Sequence, residues 1–308
     1  MYTGFFGLNS APFSIAPNPE FMYLSPRHAE ALAHLRFGLG EAGGFVLLTG
    51  EVGTGKTTVS RCLLQELDDR AEVAFILNPT LSELELLAAI CDELKIRYKK
   101  SDASLKLLGD KIKTRLLKNH DAGKHTLLII DEAQHLQPAV LEQLRLLTNL
   151  ETNTRKLLQV ILIGQPELQQ LLKRNDLRQL AQRITARYHL LPLNLDEVKQ
   201  YLKFRLQVAG CSRPVFSEGA VKRLFQLSGG IPRLLNLMAD RALLGAYGQQ
   251  QAIVSEKMVK QAASEILPLS EQVNQRALPA WFWPVLGVCA IVLGFSLALV
   301  LMPLLQHG

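Results

Sequence analysis

Gly50-Glu51-Val52-Gly53-Thr54-Gly55-Lys56-Thr57 follows directly on the apolar run at residues 45–49, and Thr58 carries it on into a helical pattern. The octet satisfies G-x-x-x-x-G-K-[ST] in full. A strand that ends in a glycine-rich turn and opens into a helix aims backbone N–H groups and the positive helix end at one point. A phosphate chain fits there: Lys56 can reach the β and γ phosphates, and the Thr57 hydroxyl can hold Mg²⁺. Residues 50–58 are therefore the expected nucleotide cradle.

Working outward, residues 26–40 read as a helix, 45–49 as a strand, 57–67 as the helix after the loop and 73–77 as a second strand. Residues 82–94 read as a helix, with Leu84, Leu87, Ala88 and Cys91 on one face. Further apolar runs lie at 126–130 and 157–163, with a shorter one at 188–191. Unbroken apolar strands separated by helices predict an α/β fold with a five-stranded parallel sheet covered on both faces. From residue 194 the strand signals stop, and four amphipathic helices follow, one of them with Ser217 at its expected N-cap. The expected division is an ATPase core at 1–193, an all-helical lid at 194–267, a linker at 268–280 and an apolar span at 281–305.

The run Leu127-Leu128-Ile129-Ile130 ends in Asp131-Glu132. In a P-loop sheet, a strand placed beside the P-loop strand would bring Asp131 to the Mg²⁺ shell and let Glu132 polarise the attacking water. Stabilising charge in the transition state calls for arginine. Arg183 and Arg187 lie just before the last strand, and Arg233 follows Gly230-Ile231-Pro232 at the start of a lid helix.

An apolar content of 48% excludes a disordered chain, and the net charge of +6 is too small to specify a partner. Cys62, Cys91, Cys211 and Cys289 have no C-x-x-C spacing and read as reduced, structural thiols. The first 14 residues contain no Lys or Arg and no sustained apolar core, unlike a secretory signal. Residues 281–305 contain no charge over about 25 positions, enough to cross a bilayer, and Trp281 and Trp283 lie at their start. Lys257, Lys260 and Arg276 precede this span, whereas no Lys or Arg follows it. The positive-inside rule then places the N-terminal ATPase in the cytoplasm and the short tail in the periplasm, a single-pass protein of the bacterial inner membrane.

Nine Lys and Arg residues cluster between positions 95 and 118 with Asp102 and Asp110 among them. The cluster reads first as a solvated helix face, with anionic lipid or DNA as the alternatives.

The chain resembles the AAA+ ATPases, and within them the general secretion pathway protein A (ExeA-like) family of bacterial secretion and type IV pilus systems. The resemblance rests on Phe5-Phe6-Gly7-Leu8 with Pro12-Phe13, the stretch His28-Ala29-Glu30-Ala31-Leu32 and the P-loop octet. Asp131-Glu132-Ala133-Gln134, Ile163-Gly164-Gln165-Pro166-Glu167-Leu168 and Gly229-Gly230-Ile231-Pro232-Arg233 complete it. It implies ATP with Mg²⁺ as cofactors, Thr57 and Asp131 at the metal, and Glu132 as the catalytic carboxylate. It also implies Gln165 near the sensor-1 position, Arg183 as an arginine finger for a neighbouring subunit and Arg233 as sensor 2. A finger acting in trans implies a homo-oligomer, commonly a ring. The remaining expected partners are inner-membrane pilus or secretion components and the lipid bilayer; nucleic acid is not expected, although transposition regulators and replication initiators share this core. Secretion members of the family typically carry a cell-wall-binding domain after the span, and the short C-terminus here resembles the MshM-type members of mannose-sensitive haemagglutinin pilus systems.

Overall fold

The computed structural model describes residues 2–16, 18–39, 44–77, 79–151 and 156–266. The expected linker at 268–280, the apolar span at 281–305 and Cys289 lie outside them. Among the described residues no helix is long and apolar enough to cross a membrane. Residues up to Ala262 pack as one compact unit.

In chain order the elements are α1 (Tyr2–Phe6), α2 (Pro26–Gly38), β1 (Phe45–Gly50), α3 (Lys56–Glu66), β2 (Ala71–Ile76), α4 (Glu83–Glu93) and α5 (Leu105–Asp121). There follow β3 (His125–Ile130), α6 (Pro138–Leu147), β4 (Leu158–Gly164), α7 (Pro166–Leu171), α8 (Arg178–Ala181) and β5 (Ile184–Leu190). Helices α9 (Leu195–Val208), α10 (Glu218–Ser228), α11 (Pro232–Gly248) and α12 (Glu256–Ile266) complete the described chain.

The five strands form one parallel sheet in the order β2-β3-β4-β1-β5. This order corrects one expectation: the strand carrying Asp131 does not lie beside the P-loop strand, because β4 intervenes. Side chains alternate across the sheet, so Leu47, Leu128, Ile130, Val160 and Leu162 enter one core with α4, α5 and α6. Val46, Leu48, Leu127, Ile129, Ile161 and Ile163 enter the other, beneath α2 and α3. Burial on both faces is why the central strands read as unbroken apolar runs. The edge strand β5 differs, with Ala186 and Leu190 buried but Thr185, Arg187 and His189 exposed. A half-buried strand alternates, and the apolar signal at 188–191 therefore marks only its end.

Local capping sets the helix starts. Ser25 caps α2 by accepting from the His28 N–H, and Ser82 caps α4 in a reciprocal box with Glu85. Asn194 does the same for α9 with Glu197, and Ser217 caps α10 as expected. The opening segment, read from sequence as part of the core, packs instead on the later helices. The Tyr2 hydroxyl donates to Asp240, Phe5 meets Tyr247 edge-on, and the Asn9 N–H donates to the Ala209 carbonyl. Cys62, Cys91 and Cys211 are buried free thiols, as expected.

Candidate active site

The P-loop turns between the end of β1 and the start of α3. Gly55 takes φ +104°, and a Cβ there would lie 2.5 Å from the His28 Nε2 atom. Only glycine combines that backbone with that neighbour. His28, on α2, is itself pinned beneath the loop, with Nε2 3.0 Å from the Thr54 carbonyl and Nδ1 2.8 Å from Ser25 Oγ. A carbonyl can only accept, so Nε2 carries the hydrogen and Nδ1 takes one from Ser25. Burial pushes the His28 pKa down, and the hydrogen bond to Thr54 and the charge of Glu197 only partly oppose it.

Within the loop, Thr54 is buried and its hydroxyl donates to the Glu51 carbonyl at 2.9 Å, bracing the turn from inside. Glu51 and Val52 form the exposed tip. The Lys56 ammonium is 6% exposed and donates to the Gly50 and Glu51 carbonyls at 2.8 and 3.0 Å. Burial lowers its pKa, and the charges of Glu132 and Asp131 act against that. Thr57 donates to Asp131 Oδ2 at 2.9 Å although β4 lies between β1, which leads to Thr57, and β3, which ends at Asp131. One hydroxyl and one carboxylate oxygen at the end of a phosphate cradle suit a hard cation such as Mg²⁺, which takes its other ligands from phosphate and water. No group of three or more His, Cys, Asp and Glu able to hold a metal occurs among the described residues.

Glu132 sits next to Asp131 with φ +52°, and its N–H donates to Asp131 Oδ1 at 2.9 Å. Burial alone would raise its pKa, but donors from Gln134 and Gln165 and the charge of Lys56 hold the carboxyl below the usual range. Gln165, just past β4, reaches Glu132 Oε2 with its side-chain nitrogen at 3.2 Å.

The loop forms one wall of a cleft of about 470 Å³. Gly53, Lys56, Thr57, Thr58 and Glu132 line it from the core, and Arg233 and Asn236 from α11. The Arg233 N–H donates to the Gly53 carbonyl at 3.3 Å, so the start of α11 rests on the P-loop. The remaining wall is the arm before α2, including Ile15, Phe21 and Tyr23. Buried Arg205 of α9 holds that arm by donating to the carbonyls of Pro12 (2.6 Å), Ser14 (2.9 Å) and Phe21 (3.2 Å).

Arg183 lies elsewhere. Its carbonyl accepts from the Phe45 N–H at the starting end of β1, whereas the P-loop leaves the finishing end. Six residues at a rise of about 3.3 Å separate the two ends by roughly 20 Å. The side chain donates to the Arg145 carbonyl and to Asn149, on the rim of α6. Arg183 cannot serve the P-loop of its own chain. Arg187, exposed on β5, donates to the Ala181 carbonyl at 2.7 Å and also stays clear of the cleft.

A family model described as AAA domain matches residues 40–172, which cover β1 to α7. Over 272 residues, 88% of this chain, the sequence is 61% identical to General secretion pathway protein A of Aeromonas hydrophila. The chain belongs to the general secretion pathway protein A family of AAA+ ATPases. It spans about half the length of that relative, 50% of which is aligned. Among solved structures, this family member is similar to Cdc6p of Pyrobaculum aerophilum, with TM-score 0.65 and 19% identity over 83% of this chain and 70% of that one. The ORC1 protein of Aeropyrum pernix, solved in complex with DNA, gives 0.63 and 20% over 84% and 72%. The RuvB branch migration motor of Thermotoga maritima gives 0.52 and 18% over 80% and 73%. At such identities the likeness concerns the fold alone.

Three contributors went unassigned from sequence. His28 belongs to a stretch that carries the family resemblance, and nothing local in a lone histidine on a helix says that it braces the P-loop. Gln134 follows Asp131-Glu132 within a quoted motif but was given no task. Arg205 is one basic residue on an amphipathic helix, where a solvated charge is the ordinary expectation.

Proposed function

We propose that this protein binds ATP with Mg²⁺ and hydrolyses it to support assembly of a bacterial type II secretion machine or an MSHA-type type IV pilus. The observation that carries this reading is the meeting of Lys56, Thr57, Asp131 and Glu132 at one cleft whose far wall bears Arg233. Lys56 and the loop N–H groups hold the phosphates, and Thr57 and Asp131 hold the cation, which offsets phosphate charge when bound. Glu132 orients and polarises water, Gln165 holds Glu132, and Arg233 ties α11 to the phosphate end. Residues 194–267, with the opening segment packed on them, act as a lid on the rest of the expected core at 1–193.

Arg183, about 20 Å from its own P-loop by strand rise, completes the site of a neighbouring copy in a homo-oligomer. The 61% identity to a general secretion protein supports the assignment to secretion, and the pilus alternative rests on the family resemblance. The apolar stretch at 281–305 anchors the protein in the inner membrane, with the ATPase in the cytoplasm. Carbonate extraction and protease accessibility of the tail test that topology.

The decisive experiment is phosphate release by wild type, Lys56→Ala and Glu132→Gln. Lys56→Ala should lose nucleotide, whereas Glu132→Gln should retain it without turnover. Undiminished turnover by Glu132→Gln would remove the role given to that carboxylate. The alternative reading, a DNA-binding switch, rests on the basic cluster at 95–118 and requires salt-dependent duplex binding that weakens on neutralising Lys99 and Lys100.

A further inference from the structure

The Glu132 carboxylate is held more tightly than a strand-end carboxylate needs to be, and the residue holding it is Gln134. Gln134 Nε2 donates to Glu132 Oε2 at 2.6 Å, and Gln134 Oε1 accepts the backbone N–H of Gln165 at 3.0 Å. The amide orientation is forced, because a carboxylate can only accept and a backbone N–H can only donate. Room for it comes from Gly164, where a Cβ would lie 2.8 Å from Gln134 Oε1. The glycine before Gln165 thus has a steric reason that does not involve its own backbone angles. Gln165 adds its side-chain donor to the same oxygen, and no described hydrogen bond uses Glu132 Oε1, which keeps its acceptor capacity for water. Glu132 meanwhile occupies the left-handed backbone region, which persists only where surrounding contacts over-determine it.

We propose that Gln134 is a positioning residue for hydrolysis: one side-chain amide clamps the general-base carboxylate to the end of β4, so that any shift of Gln165 is transmitted to Glu132. The inference rests on the reading of Glu132 as the group that polarises water. It adds a coupling element that neither the P-loop nor Gln165 supplies. The Gln165 side chain makes the longer contact to the carboxylate, and Gln134 is the group bonded to both partners. Removing Gln134 frees the carboxylate to rotate and deletes its shorter donor, leaving the phosphate cradle intact.

The test uses the full chain in detergent, with ATP turnover and ATP affinity measured for Gln134→Ala, Gln134→Glu, Gly164→Ala and Glu132→Gln. Gln134→Glu preserves shape and replaces the donor with a second carboxylate. Gly164→Ala displaces the amide sterically, its Cβ also meeting the Leu168 side chain at 2.8 Å. Expected for all three clamp variants is a loss of about 10- to 100-fold in kcat with ATP affinity within about threefold. A wild-type kcat in Gln134→Ala and Gln134→Glu would overturn the clamp. Parallel loss of turnover and ATP affinity would also overturn it by reducing Gln134 to a structural residue. Wild-type turnover by Glu132→Gln would instead remove the reading on which the clamp rests, and the two failures are distinguishable.

Discussion

Replacing Arg205 with methionine should release the arm that walls the nucleotide cleft. Arg205 is 8% exposed, and its guanidinium donates to the carbonyls of Pro12, Ser14 and Phe21 at 2.6, 2.9 and 3.2 Å. It also lies over the Phe21 ring at 4.9 Å and near the Tyr201 ring at 5.7 Å. Methionine keeps much of the aliphatic packing and removes every donor. Ser14 is exposed, so its carbonyl finds water; those of Pro12 and Phe21, in buried residues, are left wanting. Two lost charge-assisted bonds at about 1.5 kcal/mol each, with about 1 kcal/mol of cation–π attraction, total about 4 kcal/mol. For a unit of this size that corresponds to a Tm lowered by roughly 8–16 °C. Thermal unfolding measures the loss, limited proteolysis should open new cuts within residues 9–24, and ATP affinity should fall about tenfold as the wall loosens. A Tm change below about 2 °C with an unchanged proteolytic pattern would refute the argument that Arg205 fastens the arm.

Other perturbations separate the remaining parts of the site. Gly55→Ala forces an L-residue into φ +104° and drives its Cβ onto His28; it should cost about 2–4 kcal/mol in urea unfolding and weaken nucleotide binding more than Val52→Ala at the exposed tip. Arg183→Ala should leave ATP affinity unchanged and lower turnover at least tenfold at concentrations where the protein self-associates, read by phosphate release across a dilution series. His28 is held neutral, with a folded pKa below its unfolded value, so its contribution to stability is complete above about pH 6.5 and is lost as pH falls through the folded pKa. Urea midpoints at pH 7.5 and 5.5 should therefore differ more in wild type than in His28→Gln.

The central strands were legible because each carries its burial in its own composition. Val46 to Leu48, Leu127 to Ile130 and Val160 to Ile163 are apolar on both faces, and the sheet covers them on both faces. The P-loop and Asp131-Glu132 were equally plain, since each motif sits at a strand end where its chemistry is needed. The edge strand was read short because half of its side chains meet solvent. Strand order was read wrongly for Asp131 because nothing in an apolar run states which strand will lie beside it.

What the sequence alone determined is a phosphate cradle, a carboxylate pair and a parallel sheet followed by helices, all of which depend on neighbours within a few residues. Only the tertiary structure decided that β4 separates β1 from β3, that Arg183 faces away from its own cleft and that His28 braces the loop. It also decided that the opening arm belongs with the later helices. The physical reason is distance along the chain: the bond from Arg205 to Pro12 spans 193 residues, and that from Thr57 to Asp131 spans 74. Such pairs form because the packed sheet brings them together, and no local pattern of residues records them.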